Sequence, residues 1–135
     1  IFLALAAGFL GSLAANKWSA QNGESLSLHG FVHQELRLSQ TQMKDLDVME
    51  NKFAVKRRTL ELSLRAANGE LATAMEEEHE FGPKVALAVE DVHDRMGELQ
   101  KATIAHVFEM RSLLTPDQQK IFDRHVGDAL TADPQ

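Results

Sequence analysis

The chain has 135 residues, enough for one small domain and an anchor, and its 14 basic and 20 acidic residues leave a net charge of −6. That balance argues against a nucleic-acid face, which needs clustered cations; the one basic run, Lys56-Arg57-Arg58, leads into Glu61 and reads as a solvated helix face. The absence of Cys excludes a disulfide framework and any thiolate metal site, and the scarcity of Pro, Gly and aromatic residues favours long helices over a β-sandwich.

The first stretch, Ile1 to Ala15, has no charged residue and ends near Trp18, a residue suited to a membrane interface. It reads as a transmembrane anchor or signal-anchor over 1–18, with Ser12-Leu13-Ala14 as a loose small-residue cleavage signal. Either reading sends the remainder out of the cytoplasm. The first residue is not Met, and further residues are expected ahead of Ile1. A polar linker, 19–25, leads to the domain proper, 26–130, with a tail at 131–135.

Within that domain a short helix is expected from Leu26 to Arg37. Ser39 then opens a helix over 40–78, with Gln42 three residues on completing a capping box. Gly82-Pro83 breaks the chain, and a helix runs from Lys84 to Leu113. Thr115-Pro116-Asp117-Gln118 repeats the capping signature, with Pro in the first helical position, and starts a last helix over 116–130. The flanks repeat as well: Leu38-Ser39-Gln40-Thr41-Gln42 and Leu114-Thr115-Pro116-Asp117-Gln118. Two long helices joined by a short loop make an antiparallel hairpin. The predicted fold is therefore all-α: a hooked hairpin of four helices, preceded by the N-terminal anchor.

Chemistry enters where the apolar periodicity breaks. Steps of three and four trace a seam through Met43, Leu46, Glu50, Phe53, Arg57, Leu60, Leu64, Ala67 and Leu71. Arg57 can snorkel and pair with Glu61. Glu50 is too short to do so, and a carboxylate in a seam is costly unless a cation or hydrogen bonds satisfy it. The facing helix shows Val92, Met96, Leu99, Thr103, His106, Met110 and Leu113, so His106 and Met110 stand one turn apart on one face. With the loop near residue 80, facing positions sum to about 160, which sets Glu50 opposite Met110 and a turn from His106. His29 and His33 form a second i,i+4 pair, on the helix leading to the open end of the hairpin. The candidate set is His29, His33, Glu50, His106 and Met110. Three imidazoles, a carboxylate and a thioether suit Ni, Co, Cu or Zn and do not suit Ca²⁺ or Mg²⁺. His79, His93 and His125 do not join the set; His79 sits at the loop, and His93 and His125 read as solvated.

Phe53-Ala54 with Arg57-Arg58, the run Leu64-Arg65-Ala66-Ala67-Asn68-Gly69 with Leu71-Ala72, and Leu99-Gln100-Lys101-Ala102-Thr103 leading into His106-Val107-Phe108-Glu109-Met110-Arg111 resemble the periplasmic nickel–cobalt sensors of the CnrX/NccX type. The likeness covers roughly 29–130 and is weakest over Gln34–Val48. It implies a homodimer of hooked hairpins tethered to the inner membrane, with its sensor domain in the periplasm. It also implies nickel or cobalt as the ligand, zinc remaining possible, and the five candidate residues in the ligand roles. The implied partner is a membrane-bound anti-sigma factor, acting through an extracytoplasmic-function sigma factor on a metal-efflux operon.

The doubled Leu-Ser/Thr-x-x-Gln motif resembles the wider CpxP/Spy/ZraP group of periplasmic stress proteins, so the alternative function is a metal-binding chaperone or adaptor. An enzyme is not expected. Glu76-x-x-His79 and Glu90-x-x-His93 resemble half of a di-iron carboxylate site, which also needs two further Glu deep in a four-helix core. Here both motifs fall beside the loop.

Overall fold

The computed structural model describes residues 30–132. All regular structure among them is helical: α1, described over 30–34, α2 (Gln40–Glu78), α3 (Pro83–Ser112) and α4 (Pro116–Thr131). The expected anchor, the linker and His29 lie outside the described residues. No helix among the described residues is long and apolar enough to cross a membrane.

α2 has the expected bounds, α3 shifts by one residue at each end, and α4 extends by one residue at its C-terminal end. α1 departs further. Its last helical residue is 34, not Arg37, and Arg37 takes a left-handed conformation with φ 50°. A tertiary bond competes with the helix here: Leu36 is buried, and its carbonyl accepts from Gln118 Nε2 at 3.0 Å. A carbonyl used this way, beside a left-handed residue, cannot continue an α-helical ladder.

The described residues form two compact units, 30–43 with 114–132, and 44–113. In the first unit both capping boxes are present. Ser39 and Gln42 exchange bonds of 3.0 and 3.1 Å, and Thr115 and Gln118 exchange bonds of 2.9 and 3.3 Å. The two glutamines also meet, Gln42 Nε2 donating to Gln118 Oε1 at 2.8 Å. One amide pair thus ties two helix N-termini together. Val32, Leu36, Leu114 and Phe122 are the buried apolar residues of this unit. His125, expected to be solvated, is half-buried instead, because its ring stacks on Phe31 with centroids 3.9 Å apart.

The second unit is the antiparallel hairpin of α2 and α3. Phe53 lies against His106 and Glu77 against Lys84, both in the register expected from a loop near residue 80. The closed end is built by Glu78, whose carboxylate accepts from the N–H groups of Lys84 (2.8 Å) and Val85 (3.1 Å). It satisfies two of the donors that a helix start leaves open, at the end where the helix dipole favours negative charge. Gly82 leaves room for this carboxylate, since a Cβ there would collide with it. His79 turns the chain with φ 54°.

Along the seam, Leu46, Ala67 and Ala74 of α2 and Val85, Leu99 and Ala102 of α3 are buried. Glu50, Phe53, Arg57, Leu60, Leu64 and Leu71 are half-buried beside them. Met43 and Met96, expected in the seam, are exposed. Arg57 does pair with Glu61, at 3.4 Å, as a snorkelling cation should.

Candidate metal centre

The open half of the hairpin unit carries three of the five expected ligands. His106 and Met110 are both buried on α3, one turn apart, at 7% and 5% exposure. His106 is thus a buried polar side chain among apolar neighbours. Phe53 of α2 covers one face of its imidazole, with centroids 4.1 Å apart and planes 5° from parallel. Nδ1 of the ring is buried and makes no hydrogen bond. An orphaned buried nitrogen is uncommon and calls for an explanation in the chemistry of the site.

Electrostatics favour the neutral ring. Burial pushes the His106 pKa below its ordinary value, and Arg57 adds to this, while Glu109 and Glu50 oppose it. Neutral imidazole is the form that ligates a metal. Glu50 is half-buried and close enough for its charge to act on His106.

Asp47 escaped the sequence reading. It is exposed, one turn before Glu50 on α2, and carboxylate oxygens of the two lie within 4.8 Å of one another. The signal was its i,i+3 spacing from Glu50; stepping along the apolar seam from Leu46 to Glu50 passed over it. Phe53 was read as seam filler, and its role as the cover of His106 emerges only when the two helices are paired.

His33 belongs to the other unit, where it is half-buried on α1 between the buried residues Val32 and Leu36. The motifs considered for a di-iron site do not enter the seam: Glu76, His79, Glu90 and His93 are all exposed.

A sequence model for a family described as heavy-metal resistance matches residues 1–120. The chain is also 41% identical over 103 residues to the nickel and cobalt resistance protein CnrR of Cupriavidus metallidurans, an alignment that covers 76% of this chain and 70% of that protein.

Proposed function

The chain belongs to the heavy-metal resistance family, and from that premise we propose that it is a periplasmic nickel or cobalt sensor, held at the inner membrane by its N-terminal segment and acting as a homodimer. Each protomer binds one ion through His29, His33, Glu50, His106 and Met110, with Asp47 supplying a second carboxylate beside Glu50. The observation that carries this reading is His106: a buried imidazole whose burial favours the neutral form, with an unpartnered Nδ1 and a thioether one turn away. Nitrogen and thioether donors together suit a late first-row ion, and zinc can use the same imidazoles and carboxylates.

A bound ion would supply Lewis acidity and be held by His29 and His33 from the α1 side and by Glu50, His106 and Met110 from α2 and α3. The chain's part is to keep the donors in place and neutral where neutrality is needed. Phe53 stacks flat on the His106 ring and fixes its plane, and the seam holds Met110. Such a ligand set biases a two-state element, here the segment around α1, and the biased state is what the anti-sigma factor reads. No catalytic role is part of this reading. The chaperone alternative is not better supported: the residues of the doubled motif cap the starts of α2 and α4.

Two measurements separate binding from relay. Calorimetric titration with Ni²⁺, Co²⁺ and Zn²⁺ is expected to give one ion per protomer, and a stoichiometry near zero would overturn the site. A reporter for efflux-gene expression, in cells carrying the protein and its neighbouring membrane proteins, is expected to respond to Ni²⁺ or Co²⁺. Binding with no such response would leave the site standing and remove the relay.

A further inference from the structure

α1 carries His33 but has little of its own to hold that side chain in place. Its described span, 30–34, is little more than one turn, and a helix so short is not stable by itself in water. Glu35 N–H still bonds the Phe31 carbonyl at 2.8 Å, but Arg37 then takes a left-handed conformation with φ 50°. A non-glycine residue adopts that conformation only where its surroundings impose it. A group outside α1 therefore sets where the helix ends and how His33, three residues ahead of Leu36, is held.

Gln118 is that group. Its amide nitrogen donates to the Leu36 carbonyl at 3.0 Å and to Gln42 Oε1 at 3.4 Å, and its oxygen accepts from Thr115 N–H at 2.9 Å and from Gln42 Nε2 at 2.8 Å. Two donors and two lone pairs are the whole capacity of a side-chain amide, and each has a partner. The partners also fix which way the amide faces: an N–H must meet the oxygen, and a carbonyl must meet the nitrogen. The cap of α4 uses the oxygen alone, and the tie to α1 uses the nitrogen alone. Glutamate caps a helix start as glutamine does, and the helix dipole favours its charge there. Capping therefore does not call for an amide at this position; the tie to α1 does.

We infer that Gln118 is a positioning residue of the metal centre: by holding the Leu36 carbonyl it fixes the end of α1, so that His33 is in place before an ion arrives. The inference rests on the metal reading given above. Val32 and Leu36 are buried and Phe31 stacks on His125, so other contacts hold the side chains of α1. Gln118 holds its backbone, which sets the direction of His33.

The test compares the full chain with Gln118→Glu at about pH 7.5, where the introduced carboxylate is ionised. That substitution keeps an oxygen for the cap and sets a second one against the Leu36 carbonyl. Calorimetry with Ni²⁺ and Zn²⁺ is expected to show about tenfold weaker binding at unchanged stoichiometry, within the range of outer-shell partners. Apparent affinity falls with the fraction of molecules competent to bind, so a tenfold loss requires α1 to be released about nine-tenths of the time. In the metal-free variant the Glu35 amide should then exchange with solvent at close to the rate of a free chain, and it should regain protection when Zn²⁺ is added. The Gln119 amide, bonded to the Thr115 carbonyl at 2.8 Å, should stay as protected as in the wild type. Gly30→Ala adds a Cβ that meets nothing within 4 Å. It favours the helix, and in the Gln118→Glu background it should return about threefold of the lost affinity, a rescue that damage confined to α4 would not allow. Affinity within about threefold of wild type, wild-type protection of Glu35 in the metal-free variant, loss of protection at Gln119 together with Glu35, or no recovery from Gly30→Ala overturns the proposal and leaves the metal reading standing. No metal binding by the unaltered chain overturns the metal reading and the proposal with it.

Discussion

Two Phe–His stacks occur among the described residues, and they are nearly identical as ring pairs. Phe31 and His125 lie 3.9 Å apart at 4°, and Phe53 and His106 lie 4.1 Å apart at 5°. Their surroundings differ. His125 is half-buried on α4, whereas His106 is buried in the seam of α3, with Met110 a turn away, the charge of Glu50 within reach and a buried nitrogen without a hydrogen bond. A stacked imidazole is therefore not by itself the mark of a site. The mark is a ring removed from water, kept neutral, and left with a donor atom that nothing in the chain consumes.

The strongest way to break this comparison is to delete each ring. His106→Ala should weaken Ni²⁺ or Co²⁺ binding by more than about a hundredfold, beyond the roughly 10–100-fold typical of outer-shell partners. His125→Ala should change the affinity by less than about threefold, because that stack holds structure and not metal. Parallel titrations of the two variants decide it; equal losses would dissolve the distinction between the stacks.

A smaller effect should appear in the metal-free protein as a function of pH. The folded state holds the His106 pKa below its ordinary value, so the unfolded chain binds this proton more readily. Stability conferred by the neutral ring is then complete above about pH 6.5 and is lost as pH falls from there toward the lowered folded value. The slope is at most about 1.4 kcal/mol per pH unit for one proton. Thermal unfolding between pH 7.5 and 5 should show that decline, and His106→Asn should flatten it. An unchanged slope in the variant would mean that other groups govern the decline.

The smallest effect on the fold, and the sharpest on function, is expected from Met110→Leu. Leucine conserves volume in the seam, so stability should fall by less than about 1.5 kcal/mol. Zn²⁺ affinity should hold, since imidazole and carboxylate ligands remain, while the reporter response to Ni²⁺ or Co²⁺ should drop. X-ray absorption at the metal edge checks the cause, because the sulfur scatterer should be present in the wild type and absent in the variant.

The helices were legible because their punctuation is local. Ser39 and Gln42, Thr115 and Gln118, and Gly82-Pro83 each act within a few residues, and the bounds of α2, α3 and α4 follow from them. The end of α1 was not legible, because the competing bond comes from Gln118, far along the chain. The candidate centre divides in the same way. Glu50, His106 and Met110 could be found as defects in a regular pattern. Asp47 lies off that pattern, and the part played by Phe53 depends on a neighbour contributed by another helix. The exposure of Met96, a seam position by spacing alone, shows that periodicity gives the direction of a side chain and not the depth of its burial.

The amide pair between Gln42 and Gln118 has a kinetic consequence. Each glutamine closes its own helix start and also holds the other's side chain. When the first turn of α2 frays, Gln42 withdraws from α4 as well, and the reverse holds when α4 opens. The two helix ends should therefore open as one event, so the backbone amides at the starts of α2 and α4 should exchange with solvent deuterium at matched rates. Gln118→Leu should uncouple them, leaving two ends that fray independently and faster.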